Sequence, residues 1–257
     1  FVAWVCYMMS FESLFGLPAL DACVKASSKN HLVFIVGSSG SGKSMLVKNS
    51  IAVHLESGRG AVVVLLDEDI ESFLDSLSQY ISSKDVLKSL DEGRLRVVDV
   101  FSSRLSRFKS LMRSFKWDVK YADPSDPSSI IDGIRIVLED LRSRNVETVI
   151  VIDSLNEIIT SSDPIRAAEF IKTVKAVFTR VFKQLVLTTI HLDSDTVNNW
   201  FKEYAYVADG IILMDVAADQ KGRIYRYFQV KRFRSSDHCV EPVIYKVESG
   251  RIIAQSK

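Results

Sequence analysis

Phe34-Ile35-Val36-Gly37-Ser38-Ser39-Gly40-Ser41-Gly42-Lys43-Ser44 decides the fold, because it satisfies G-x-x-x-x-G-K-[ST] directly after a short apolar run. A buried strand delivers the chain to a tight turn there. Glycines let the backbone approach a polyphosphate and aim successive N–H groups at it, and the anion then rests on a helix N-terminus. The pattern makes Gly37, Ser38, Ser39, Gly40, Ser41, Gly42, Lys43, Ser44 and Met45 the candidate phosphate-binding set. Lys43 is expected to neutralise β- and γ-phosphates, and the Ser44 hydroxyl is expected to be a magnesium ligand. A Gly/Ser loop without chemistry is the alternative. Against it stand the strand before the loop and the helical run Met45 to Val53 after it.

Outward from this loop, strands alternate with helices. Toward the N-terminus, Pro18 follows a turn at Phe15-Gly16-Leu17 and opens a short helix. After the loop, the helix runs to about Glu56 and stops at Gly58-Arg59-Gly60. Ala61 to Leu66, Leu95 to Val100, Thr148 to Ile152 and Leu185 to Ile190 read as strands. Ile70 to Tyr80, Lys84 to Leu90, Ser129 to Arg144 and Pro164 to Phe182 read as helices. From Asp209 the pattern changes to closely spaced strands joined by the short turns Asp219-Gln220-Lys221-Gly222 and Glu248-Ser249-Gly250, the signature of antiparallel hairpins. The expected fold class is α/β: a mostly parallel central sheet flanked by helices, with a C-terminal antiparallel extension.

The chain has 257 residues, enough for one large α/β domain with an ample core. A formal net charge of +1 offers no global electrostatic case for nucleic acid or membrane, so such a case has to rest on a local patch. Cys6, Cys23 and Cys239 are odd in number and far apart. They form no metal-ligand spacing and no disulfide framework, which suits a reducing, cytoplasmic compartment. Phe1 to Met9 is apolar but too short to span a bilayer, and no membrane association is expected. Residues 1–10 are set apart as an N-terminal extension, with Met8 or Met9 as a candidate start, and residues 11–257 are read as one domain.

Val149-Ile150-Val151-Ile152-Asp153 places a carboxylate at the end of a buried strand. There Asp153 can hold magnesium through water opposite Ser44, or it can cap the next helix; beside the phosphate loop the metal role is the expectation. Asp67-Glu68 closes the strand that follows the phosphate-loop helix. A carboxylate at that point can orient or deprotonate an attacking water, whereas Asp67 and Asp69 can also serve merely as caps for the helix at Ile70.

Together these motifs resemble the RecA superfamily, and within it the KaiC-like ATPases of the single-domain archaeal recombinase-paralogue type. The resemblance covers nearly the whole chain from Phe15 onward. It runs through Gly16-Leu17-Pro18-x-Leu20-Asp21, the phosphate loop, Asp67-Glu68, Asp153-Ser154, Val207-Ala208-Asp209-Gly210-Ile211-Ile212 and Arg232-Phe233-Arg234-Ser235-Ser236-Asp237-His238. It implies a RecA-like fold that binds ATP and magnesium and hydrolyses ATP slowly in a ring or filament of identical subunits. It makes Glu68 the expected catalytic carboxylate with Asp67 in a lesser role, and His191 a γ-phosphate sensor or a strand-end cap. Arg232 and Arg234 match basic residues that reach a neighbouring subunit's nucleotide, the alternative being a solvated hairpin tip. Arg232 stands where the family usually has Lys.

The stretch from Arg104 to Lys120 reads as a basic amphipathic helix in which Asp118 is the only acidic residue. Phe108, Phe115 and Trp117 lie among its cations. This patch is open to three readings: a solvated face, a surface for single-stranded DNA, or a site for an anionic membrane or protein partner. The segment after His191 carries Asp193, Asp195 and Glu203 with only Lys202 basic, unlike a DNA-binding loop.

Overall fold

A computed structural model describes residues 13–24, 30–104, 115–234 and 236–254. Its strands are β1 (Leu32–Gly37), β2 (Gly60–Leu65), β3 (Leu95–Asp99), β4 (Val119–Tyr121), β5 (Thr148–Asp153), β6 (Leu185–His191), β7 (Gly210–Ala218), β8 (Ile224–Phe233), β9 (Val243–Glu248) and β10 (Arg251–Ala254). They form one ten-stranded sheet in the order β10-β9-β8-β7-β1-β6-β5-β2-β3-β4. All pairings from β7 through β1 to β4 are parallel, and β8, β9 and β10 add antiparallel to the outer side of β7. The expected α/β class and its antiparallel extension are both present.

The helices are α1 (Pro18–Cys23), α2 (Lys43–Glu56), α3 (Ile70–Leu77), α4 (Ser83–Asp91), α5 (Pro127–Ser143), α6 (Asn156–Ser161), α7 (Pro164–Val174) and α8 (Asp195–Tyr204). Central strands are buried on both faces, and alternation sends their side chains into two cores. Val33 and Ile35 pack with Leu46, Ile51, Phe73 and Leu77 under α2 and α3, whereas Leu32, Phe34 and Val36 pack with Val137, Ile171 and Trp200 under α5, α7 and α8. Because the strands are parallel, their carboxyl ends share one edge. There the register sets Gly37 beside His191 and Asp153 beside Leu65.

Several expectations change. The helix expected over Pro164–Phe182 ends at Val174 and continues as a π-helical turn over Lys175–Val181. The basic helix over 104–120 is not formed where it is described: Val119–Tyr121 is strand β4, paired with β3, and residues 105–114 lie outside the described residues. Asp118 accepts a bond from Arg96 on β3, the Trp117 indole N–H donates to Asp91, and Phe115 and Trp117 pack on the core, which ties this stretch to the sheet edge. α6 and α8 were not expected. Among the described residues no helix is long and apolar enough to cross a membrane.

The reading of the cysteines is also corrected. Cys23, at the end of α1, is disulfide-bonded to Cys239, with Cα atoms 4.9 Å apart and a sequence separation of 216. The Cys239 N–H donates to the Cys23 carbonyl at 3.2 Å, and Val24 and His238 form an antiparallel bridge. The pair joins the N-terminal helix to the connection between β8 and β9, a long loop of the kind whose closure removes most entropy from the unfolded chain. Cys239→Ser is therefore expected to cost about 2–5 kcal/mol of stability. Thermal melts with and without reductant check this: the wild type should move toward the variant on reduction, and the variant should not respond.

Candidate phosphate-binding site

The phosphate loop leaves β1 at Gly37 and re-enters helix at Lys43. Gly37 has φ +144°, and a Cβ there would lie 1.7 Å from the Met214 carbonyl oxygen of β7, so only glycine lets the loop pass this strand. Gly42, with φ +96°, is the residue before α2, and its carbonyl accepts the first helical bond from Leu46. The N–H groups of Lys43, Ser44 and Met45 therefore have no partner within the helix and mark a seat for an anion.

Lys43 is 2% exposed. Its Nζ donates to the Gly37 carbonyl at 3.0 Å, the Ser38 carbonyl at 2.6 Å and the Ser41 hydroxyl at 3.3 Å. Burial pulls its pKa below the usual lysine range, while Asp193, Asp153 and Asp215 act in the opposite direction. The loop serines are engaged too. Ser38 donates its hydroxyl to Asp215 at 2.5 Å, Ser39 donates to Asp193, and the Ser41 carbonyl accepts from the Tyr245 hydroxyl. Arg226 Nε donates to the Gly40 carbonyl at 3.3 Å. Tyr245 and Arg226 come from the antiparallel extension, which thus braces the loop. No motif marked either residue.

Across the edge, Asp153 accepts from the Thr189 hydroxyl of β6, and Asp67 accepts from Ser154 Oγ at 2.6 Å. Burial raises the Asp67 pKa, the Ser154 bond opposes this, Asp153 and Glu157 raise it further, and His191 lowers it. Burial, followed by the charge of Lys43, lowers the His191 pKa, so its imidazole is held toward the neutral form. His191 Nδ1 is buried without a hydrogen-bond partner among the described residues. The backbone of His191 is bracketed by one side chain: Asn156 Nδ2 donates to the His191 carbonyl and Asn156 Oδ1 accepts from its N–H, each at 2.8 Å. Asn156 was missed because its role depends on α6 meeting β6; the Asp153-Ser154-x-Asn156 run at a strand end was the available signal.

Lys43, Asp153, Asp67 and His191 are thus brought together. Glu68 forms an ion pair with Lys48 of α2 at 2.8 Å. Arg232 and Arg234 stand at the opposite edge of the sheet, since Phe233 between them pairs with Gly210 and Gly210 pairs with Val33. Four residues of β1, about 13 Å of strand, separate that level from Gly37. Arg232 Nη2 donates to the carbonyls of Ala205 and Ala208 at 2.5 and 2.9 Å, and Arg234 Nη2 donates to the Tyr206 carbonyl at 3.0 Å.

The arrangement, a phosphate loop with Asp153, Asp67 and His191 gathered around Lys43, agrees with what this chain is similar to. The family described as ATPase: KaiC matches residues 15–257. A UPF0273 protein of Saccharolobus solfataricus is 26% identical over 224 residues, covering 86% of this chain and 74% of that protein. A UPF0273 protein of Pyrobaculum aerophilum is 25% identical over 240 residues, covering 92% and 79%. The crystal structure of a KaiC-like protein from the hyperthermophilic archaeon Pyrococcus horikoshii superposes with a TM-score of 0.67 at 17% identity, covering 95% of this chain and 99% of that one.

Proposed function

The chain belongs to the ATPase family of KaiC, within the RecA superfamily, and from that premise we propose that it binds ATP with magnesium at residues 37–45 and hydrolyses it slowly between identical subunits. The observation that carries this reading is the buried Lys43 ammonium, held on the carbonyls of its own glycine loop within the same cluster as Asp153, Asp67 and His191. Lys43 would exchange these carbonyls for β- and γ-phosphate oxygens, while the first-turn N–H groups of Ser44 and Met45 take the phosphates nearer the helix.

Ser44 and Asp153 are hard oxygen donors of the type magnesium prefers, and Thr189 fixes one oxygen of Asp153. Held there with the nucleotide, the ion would spread the negative charge of the β- and γ-phosphates. Asp67 is assigned the water, because a general base must reach the reacting centre and because its raised pKa makes it a better proton acceptor than an ordinary aspartate. Glu68 is given a supporting role through Lys48. His191 is assigned to the γ-phosphate, with Asn156 as its positioning residue. Nucleotide state would then be passed to a protein partner.

Arg234, with Arg232 beside it, is assigned to the γ-phosphate of the adjacent subunit, since the two lie at the far edge from their own loop. Complementation tests both the hydrolysis and the oligomer. Arg234→Ala subunits keep Asp67, Asp67→Asn subunits keep Arg234, and each protein alone should be nearly inactive in phosphate release from magnesium ATP. Mixed and allowed to exchange subunits, they form some interfaces with both groups intact, and activity should reappear. No recovery despite verified exchange would defeat the trans arrangement, and no phosphate release by the wild type would defeat the ATPase reading.

A further inference from the structure

We propose that Asp193 sets the preference of this site between a triphosphate and a diphosphate, by holding the Ser39 donors that a γ-phosphate would otherwise take. The inference rests on the nucleotide-site reading above and goes beyond it. Asp193 lies two residues past β6. The Leu192 N–H donates to the Gly37 carbonyl at 3.1 Å, which pins this segment against the loop. The Ser39 N–H then donates to both oxygens of the Asp193 carboxylate, at 2.9 and 3.2 Å, and the Ser39 hydroxyl adds a bond at 2.6 Å.

Phosphate loops bind anions on the N–H side of their backbone. On that side, at Ser39, an anion is already present, and it is the protein's own. Those Ser39 bonds hold the Asp193 carboxyl below the usual aspartate range, so the competitor is charged at neutral pH. Among the carboxylates that act on Lys43, Asp193 comes first, ahead of Asp153 and Asp215, and it also acts on His191. It therefore sits at the end of the loop served by the two groups assigned to the γ-phosphate.

A diphosphate seated on the first turn of α2 leaves this contact intact. A triphosphate brings its terminal charge up against it, and the carboxylate is exposed and free to swing into water. Ser194, the next residue, caps α8 by accepting from the Val197 N–H at 3.3 Å. Release of Asp193 would thus reach the start of a helix, giving ATP occupancy a route to the surface.

The test is calorimetric titration of the full chain, with magnesium, by a non-hydrolysable ATP analogue and by ADP, in the wild type and in Asp193→Asn. Asparagine keeps an acceptor for Ser39 and removes only the charge. The analogue should bind about five- to tenfold tighter to the variant and ADP should change less than about twofold, as expected for one like charge removed at a solvated distance. In the wild type, amide hydrogen exchange over residues 193–197 should be faster with the analogue than with ADP. Equal tightening of both ligands would make Asp193 a general anion competitor and overturn the inference. So would weaker or unchanged binding of the analogue, which would make Asp193 a scaffold of the loop. If the wild type bound neither nucleotide, the site reading itself would fall and take this inference with it, an outcome visible before any variant is made.

Discussion

Lys43→Ala is expected to reduce ATP affinity at least about 100-fold, below detection in an equilibrium titration with a fluorescent ATP analogue, because two charge-assisted bonds to phosphate are each worth about 1.5–3 kcal/mol. The size of the loss follows from where the ammonium sits. It is buried against the Gly37 and Ser38 carbonyls, so its desolvation is already complete before the nucleotide arrives and its donors need only change partner. Removing it also leaves Asp193, Asp153 and Asp215 facing the incoming polyphosphate without the cation they surround. Lys43→Met keeps most of the side-chain volume and should lose affinity to the same extent, which separates lost charge from lost packing. Unchanged affinity in both variants would remove the phosphate-loop assignment.

Asp67→Asn is expected to leave binding nearly intact and to slow single-turnover hydrolysis by about 10²- to 10⁴-fold, the usual cost of a lost general base. Glu68→Gln should slow it by less than about tenfold, since Glu68 acts through its ion pair with Lys48. This ranking reverses the one expected from the sequence. The pH dependence gives a second check. A base works in its ionised form, and burial with neighbouring carboxylates raises the Asp67 pKa, so the rate should fall on acidification at a pH above that of an ordinary aspartate. The limb should be absent from the residual activity of Asp67→Asn. Loss confined to Glu68→Gln would return the catalytic role to Glu68.

What the sequence determined by itself was whatever short-range physics encodes. The phosphate loop is nine consecutive residues whose glycines, lysine and serine each have a local reason to be there. The strands around it are mostly apolar runs, which a sheet buried on both faces accommodates, and the turns near Asp219 and Ser249 announce the antiparallel extension. Asp153 was legible for the same reason, since it ends such a run. α8 could have been read from Ser194 as N-cap before Val197 and Trp200, but its signal is short, and α6 has no side-chain cap to announce it.

The tertiary structure alone decided which neighbours meet. Asp67 and Glu68 are adjacent in the bend that follows β2, and they take different partners, Ser154 and Lys48. Only the pairing of β2 with β5 makes Asp67 the one that faces Ser154 and Asp153. Cys23 and Cys239 come together because α1 packs where β8 leaves the sheet. The sheet order sends Arg232 and Arg234 to the far edge and brings Arg226, Tyr245, Asp193 and Asn156 to the near one. Contacts between residues tens to hundreds of positions apart depend on strand order and register, and both are set by how two whole cores pack on one sheet, a quantity no local window of the chain contains.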